Sequence, residues 1–97
     1  MEDESRSLGN TQNARTTVTV RAYSPDRHPI LVLELGSGEL CVAYYETGYD
    51  LDRSKRVEEG WLRDNAIGRH SFVEVTPPRT LEAGELRDYA RSELGAR

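Results

Sequence analysis

The chain is 97 residues long, carries a formal net charge of −4 and contains one cysteine. Hydrophobic residues make up 36% of it and charged residues 31%, which is typical of one small globular domain with a modest core. A single cysteine excludes an intrachain disulfide framework. The acidic balance argues against bulk electrostatic attraction to nucleic acid or to an anionic membrane.

The beginning of the chain lacks the features of a targeting segment. An acidic run, Glu2–Glu4, directly follows Met1, and no apolar run approaches the roughly 18 residues of a membrane span. We therefore expect neither a signal peptide nor a membrane anchor, and we expect a cytoplasmic protein. Residues 1–15 offer little apolar surface to bury, so we predict a disordered tail followed by a single domain over 16–97.

The stretch Ile30–Glu46 predicts a β-hairpin, because two apolar, β-rich runs flank a short turn that contains Gly36 and Gly38. A loop of two or four residues centred on this turn pairs Leu35 with Leu40. Residues opposite each other share a face of the sheet. One face, called face A, then collects the apolar side chains and becomes the core side: Leu31, Leu33, Leu35, Leu40, Val42 and Tyr44.

Residues 16–23 alternate between polar and apolar side chains, many of them β-branched, and this predicts the first strand. The connector 24–29 contains two prolines, and the strand ends there because proline cannot donate to a ladder. Pairing Tyr23 with Ile30 places the apolar residues of this strand opposite the leucines of face A. The first strand and the hairpin therefore predict the same core side.

The middle of the chain predicts a helix followed by a strand. The helix covers 53–66, with Asp52 as its cap and Gly68 at its end. The strand covers 70–76, where alternation resumes, and stops at Pro77–Pro78.

A last helix is predicted over 82–94, with Thr80 as its cap and Gly95 just past its end. The order of elements is therefore β-β-β-α-β-α, which defines an α+β fold. We predict a four-stranded mixed sheet, because the strand after the first helix runs parallel to the edge that it joins. Both helices are expected to pack on face A.

The opposite face of the sheet, face B, is predicted to stay uncovered. It mixes aromatic, apolar and charged side chains, as protein interfaces do. The predicted interaction surface combines face B with the acidic 46–52 loop: Arg21, Tyr23, Ile30, Val32, Glu34, Tyr45, Tyr49 and Asp50. We therefore predict a small non-catalytic interaction protein, such as a regulator, an inhibitor or an immunity-type partner. It would bind another protein or a second copy of itself, without a cofactor.

A nucleic-acid-binding regulator is the alternative prediction. Its surface is the densest basic region of the chain: Arg53, Lys55, Arg56, Arg63 and Arg69. Acidic residues interrupt this region, and Glu59 stands four residues before Arg63, the spacing of an ordinary pair on a helix surface. The pattern favours a solvated helix face over a phosphate-binding one.

A small enzyme is the third interpretation. A metal-dependent enzyme would use Asp26 and Glu34 as paired carboxylates, but the lysine of a restriction-nuclease-type site is absent, since position 36 is glycine. A cysteine-dependent enzyme would need a histidine to activate Cys41, and neither histidine is predicted to lie beside it. The acids of the 46–52 loop lack the spacing of a calcium-binding EF-hand. We therefore predict no catalytic residue and no metal site.

Overall fold

The structure of the protein is a computed structural model that describes residues 14–67 and 72–97. Its strands are β1 (Thr17–Tyr23), β2 (Leu31–Leu35), β3 (Leu40–Ala43), β4 (Lys55–Val57) and β5 (Val73–Glu82). Over the described residues they form one five-stranded sheet in the order β4-β3-β2-β1-β5, and every neighbouring pair is antiparallel. The predicted α+β class is confirmed. The predicted four strands and mixed sheet were wrong.

Two helices accompany the sheet. The first, α1, begins as Glu59–Trp61 and continues as a π-helical segment over Leu62–Ile67, and the second, α2, covers Leu86–Glu93. Short 3-10 turns lie at Tyr45–Thr47, Leu51–Arg53 and Ala83–Glu85. The predicted last helix is thus confirmed as α2. Gly95 follows it with a φ of 77°, the left-handed conformation that glycine adopts without a steric penalty.

The β2–β3 hairpin forms as predicted, but its register differs by one residue. Leu33 pairs with Cys41 and not with Val42. The turn explains the shift, because the amide of Leu35 donates to the carbonyl of Glu39 at 2.8 Å and encloses a three-residue loop. Gly38 occupies that loop with a φ of 91°, and a three-residue hairpin loop ends in such a left-handed residue.

This one-residue shift exchanges the two faces of β3, since side chains alternate along a strand. Cys41 and Ala43 now lie with Leu31 and Leu33 in the core on face A. Leu40 and Val42, predicted for face A, belong to a second cluster on face B. The predicted composition of face A was therefore wrong for β3 and right for β2.

The β1–β2 pairing matches the prediction only over its first half. Val20 pairs with Leu33 as predicted, but a bulge at Arg21 then shifts the register and pairs Tyr23 with Leu31. A bulge inserts one residue and so turns the following side chains to the other face. Tyr23 therefore packs against the face A cluster, and Ala22 is buried in the face B cluster.

Each face of the sheet is covered by its own helix. On face A, Leu86 and Ala90 of α2 are fully buried against the leucines of β2. On face B, Leu62 of α1 closes a smaller cluster with Val32 and Val42 of the sheet. The prediction that both helices pack on face A was wrong, because the second apolar set on β3 required a cover of its own.

Residues predicted as the start of the first helix form β4 instead. Val57 pairs with Leu40 and Lys55 with Val42, which completes the edge that β3 would otherwise expose. The helix begins only at Glu59. The predicted cap is also displaced, because Asp50 and not Asp52 accepts the amide hydrogen bond at the preceding 3-10 turn.

The last strand, β5, does not stop at its two prolines. It forms the opposite edge of the sheet, and residues 75–78 form a bulge opposite Arg21 between the pairs Val20–Arg79 and Ala22–Glu74. Proline is tolerated at edges and bulges because no ladder hydrogen bond is lost there. Thr80, predicted as a helix cap, therefore pairs with Thr19 within the sheet. The cap of the following 3-10 turn is Glu82, whose amide donates to the Glu85 carboxylate at 3.0 Å.

Several predictions lie outside the described residues. These are the disordered tail up to residue 13, the helix end at Gly68, and the positions of Arg69 and His70. Ala14 and Arg15 are described, and Ala14 lies against the turn that precedes α2.

Candidate functional site

The predicted interaction surface does not form one continuous patch. Val32 has no exposed surface, because α1 covers it on face B. Tyr45 is 6% exposed and Tyr49 1% exposed, and both belong to the face A core. These three residues were wrongly predicted as outward-facing. Tyr23 and Ile30 are half-buried, and each packs against a different cluster.

Arg21 and Glu34, two members of the predicted set, form an ion pair between β1 and β2 at 2.8 Å. Arg21 also contacts Glu59 at the start of α1 at 3.1 Å. Two carboxylates therefore hold this guanidinium on face B and connect α1 to the sheet. Asp50, the remaining member of the predicted set, is half-buried and accepts the amide of Asp52 at 3.0 Å.

The predicted nucleic-acid region is largely neutralised by neighbouring acids. Arg53 lies 3.9 Å from Asp50. The two other described arginines are paired as well: Arg56 with Glu39 at 3.3 Å and Arg63 with Asp64 at 3.9 Å. Lys55 is exposed on β4, and Arg69 lies outside the described residues. Each described arginine of this region therefore has an acidic neighbour that lowers the local positive potential, although the two contacts at 3.9 Å are weak individually.

A different set of basic residues makes no ion pair in the described part of the chain. They are Arg27, Arg87, Arg91 and Arg97, all exposed. The side chains of Arg87 and Arg91 contact Tyr45, whose ring stacks on His28. Arg97 and Arg27 are joined to His28 through backbone atoms. We call Arg27, His28, Tyr45, Arg87, Arg91 and Arg97 together the arginine surface. Arg15 and Lys55 are also unpaired within the described ranges, but no contact there connects either of them to Tyr45.

Helix α2 supplies two of these arginines, one turn apart on the same side. The Arg87 guanidinium carbon lies 4.7 Å from the centre of the Tyr45 ring, and its Nη2 donates to the Tyr45 carbonyl at 3.2 Å. Arg91 Nε donates to the Tyr45 hydroxyl at 3.0 Å. Like charges at this spacing cost a helix about 0.2–0.5 kcal/mol, so the contacts with Tyr45 offset a local repulsion.

Tyr45 is held rigidly beneath the arginines. It begins the 3-10 turn after β3, and its ring meets the edge of the Tyr49 ring at a centroid distance of 5.8 Å. Tyr49 in turn donates its hydroxyl to the carbonyl of Pro29 at 2.6 Å. Burial raises the pKa of the Tyr49 hydroxyl, which stays protonated and keeps this bond at neutral pH. The turn and the 24–30 loop are thereby joined.

His28 forms the other side of the aromatic stack. Its ring lies 4.4 Å from the Tyr45 ring with an interplanar angle of 16°. Its Nε2 donates to the carbonyl of Arg97 at 2.8 Å, and the Arg97 amide donates to the carbonyl of Arg27 at 3.1 Å. These two bonds bring the end of the described chain to the loop that carries His28. Ser24 closes this loop through hydrogen bonds with Ile30.

The arginine surface is positive although the chain is acidic. Three carboxylates adjoin it: Glu46 at 3.4 Å from His28, Asp88 close to Arg91, and Asp26 next to Arg27 in the chain. Four arginines against three carboxylates leave a small excess of positive charge. The hydrogen bond to Tyr45 raises the pKa of Arg91, so that guanidinium stays charged. The side chains of Arg91 and Arg87 are held in place by Tyr45, and no carboxylate forms an ion pair with their remaining N–H groups in the described part of the chain.

The residues considered for catalysis do not converge. Cys41 is fully buried, and burial raises the pKa of its thiol, which opposes the thiolate form that a nucleophile needs. Asp26 lies in an exposed loop, whereas Glu34 is engaged by Arg21. Among the described residues, no group of three or more His, Cys, Asp or Glu side chains is arranged to hold a metal ion.

Sequence reasoning missed the arginine surface because it searched for dense runs of charge. One signal was present, since Arg87 has no acidic residue three or four positions away in either direction. On a helix surface, an acidic residue at this spacing could form an ordinary ion pair with such a side chain. The aromatic partner lies 42 positions away along the chain and carries no comparable signal.

Comparison of the chain with protein-family models, with curated proteins and with solved structures found no match. No helix within the described ranges is long and apolar enough to cross a membrane.

Proposed function

We propose that this protein is a small non-catalytic binding protein whose arginine surface binds an acidic segment of another protein. The observation that carries the proposal is the contact of two exposed arginines, Arg87 and Arg91, with Tyr45. These two, and Arg27 and Arg97 beside His28, make no ion pair in the described part of the chain. Apart from Arg15, the other described arginines have an acidic partner: Arg21, Arg53, Arg56, Arg63 and Arg79.

The chemistry of guanidinium favours a carboxylate ligand. Its planar N–H groups form two parallel hydrogen bonds with a carboxylate, and arginine is weakly hydrated, so it gives up water at low cost. Arg87 and Arg91 stand one helical turn apart, which suits two acidic side chains of one extended or helical segment. Arg27 and Arg97 add two further arginines next to His28, where their backbones are joined by a hydrogen bond.

The rigidity of Tyr45 supports the same proposal. Binding loses free energy when long side chains must be ordered, at about 0.5–1.5 kcal/mol for each. Arg87 and Arg91 are already oriented through their contacts with Tyr45, which is itself packed against His28 and Tyr49. The ordering cost is therefore partly met before a ligand arrives.

The first experiment measures fluorescence anisotropy of a labelled polyglutamate peptide titrated with the full chain at low salt. We expect Arg87→Gln with Arg91→Gln to weaken binding about tenfold or more, because two charge-assisted contacts are lost. The matched control, Arg53→Gln with Arg63→Gln, removes the same charge from paired arginines. It should change the affinity less than about twofold. Equal losses in both variants would mean attraction by bulk charge and would contradict the proposal.

Nucleic acid is the second candidate partner, because a guanidinium binds phosphate by the same geometry. A labelled single-stranded oligothymidylate tests it in the same assay. If it binds more tightly than polyglutamate and loses affinity in the Arg87 and Arg91 variant, the partner is a nucleic acid. If Arg56→Glu with Arg63→Glu abolishes that binding instead, the basic region predicted from sequence is responsible.

A further inference from the structure

The sequence contains its own acidic segment, Glu2–Glu4, ten residues before the first described residue, Ala14. This run holds three of the acidic residues of the chain, and Arg6 is the first basic residue after it. The described domain thus carries a positive surface, and the residues that precede it carry a compact negative run.

Ala14 locates the point from which this segment extends. A Cβ placed on Gly84 would come within 3.0 Å of the Ala14 Cβ, so the chain passes directly over the turn that precedes α2. Ala14 also lines a cleft of about 240 Å³ together with Thr47 and Gly48, which follow Tyr45 in its turn. The attachment point therefore lies between the turn that carries Tyr45 and the helix that carries Arg87.

The length of chain is sufficient to reach the arginine surface. The ten residue steps from Glu4 to Ala14 span at most about 36 Å in a fully extended chain, and a random coil of this length has an average end-to-end distance of about 17 Å. The distance along the helix axis from Gly84 to Arg91 is only about 10 Å. A tether of this length presents the acids at an effective concentration in the millimolar range.

We propose that Glu2–Glu4 binds the arginine surface of its own chain and competes with the acidic partner for it. The inference rests on the proposed function, because it assumes that this surface takes carboxylates. Three exposed ion pairs are individually weak, and the tether makes them effective. The segment then acts as an intramolecular pseudo-ligand, which a stronger acidic partner must displace.

The test compares the full chain with the full-length triple variant Glu2→Gln, Asp3→Asn, Glu4→Gln. We expect the variant to bind polyglutamate about threefold to tenfold more tightly, since the competing acids are removed. The NMR resonance of the Arg91 Nε–H group should also shift between the two proteins, because its surroundings lose a carboxylate. Adding the polyglutamate peptide to the variant should move the Arg91 Nε–H resonance back toward its position in the wild-type protein, because carboxylates again surround this group.

A matched control removes three acids that lie away from the arginine surface and make no ion pair in the described part of the chain: Asp52→Asn, Glu58→Gln and Glu74→Gln. It should leave the Arg91 resonance unchanged and alter the affinity less than about twofold. An equal gain in affinity in the control would mean a general charge effect and would overturn the inference.

The remaining outcomes separate this inference from the proposed function. Equal affinity of wild type and tail variant, with loss on Arg87→Gln and Arg91→Gln, would overturn the competition and leave the proposed function standing. If neither wild type nor the tail variant binds the peptide, the proposed function is wrong. A difference in the Arg91 Nε–H resonance between these two proteins would then still support the contact of the tail, and identical resonances would overturn it. A shift that depends on protein concentration would assign the acids to a second copy and overturn the intramolecular contact.

Discussion

Arg21 on face B and Arg87 on α2, the helix that covers face A, differ in the groups that contact their guanidinium groups. Arg21 is held by two carboxylates, Glu34 and Glu59, and this network fastens α1 to the sheet. Arg87 lies over the ring of Tyr45 and makes no ion pair with the described residues. A carboxylate accepts hydrogen bonds from the N–H groups of an arginine. Contact with the face of an aromatic ring engages the guanidinium plane instead, and although Arg87 also donates one bond to the Tyr45 carbonyl, most of its N–H groups are left for a ligand. The first arrangement fastens the helix to the sheet, and the second is the one that the proposed binding would use.

The largest expected effect tests whether face B is core. Val32→Arg places an unpaired charge in a fully buried position, and we expect it to lower the free energy of unfolding by about 4 kcal/mol or more, which unfolds a domain of this size. Circular dichroism with urea titration measures it. Thr17→Arg is the control, because Thr17 is exposed and pairs with Glu82 on the same sheet. A folded, stable Val32→Arg protein would contradict the covered face B.

The next effect concerns the aromatic centre of the arginine surface. Tyr45→Ala removes a buried ring and the platform for two arginines, so we expect a loss of about 3 kcal/mol in stability and a loss of peptide binding. Tyr45→Phe keeps the ring and removes only the hydroxyl that accepts from Arg91, at a cost of about 1 kcal/mol. Urea titration and peptide anisotropy together would show whether binding follows the ring. Binding that survives in a folded Tyr45→Ala protein would separate the arginines from their platform.

The smallest expected effect compares the loss of Arg21 with the loss of Arg87. Arg21→Gln breaks partly exposed ion pairs, and we expect it to cost about 1 kcal/mol of stability while peptide affinity stays within about twofold. Arg87→Gln should show the reverse, with stability almost unchanged and affinity reduced. Both variants lose one positive charge, so each serves as the control for the other. The comparison fails if both proteins change in the same property.

The arrangement of the chain was predictable wherever local pattern decides it. Alternation indicated β1, two β-rich runs around a glycine turn indicated the hairpin, and Gly95 marked the end of α2. The placement of Arg21 and Glu34 on one predicted surface, where they form an ion pair, followed from the pairing of neighbouring strands. These features depend on residues close in sequence or on one strand pairing, for which side-chain periodicity is sufficient.

Loop length was the first feature that sequence reasoning could not decide. Two, three and four residues all fit the glycine turn between Leu35 and Leu40, and the three-residue loop reverses both faces of β3. Once Leu40 and Val42 faced the other side, α1 had to cover them. The helix that was predicted for face A therefore packs on face B.

The sequence by itself determined an α+β domain, its first strands and its last helix. Only the tertiary structure decided the strand register, the pairing of β4 and β5 at the edges, and the arginine surface. Arg87 meets Tyr45 across 42 positions of sequence, and His28 meets Arg97 across 69. Such contacts depend on how packed elements are placed in space, and the periodicity of a single segment carries no information about them.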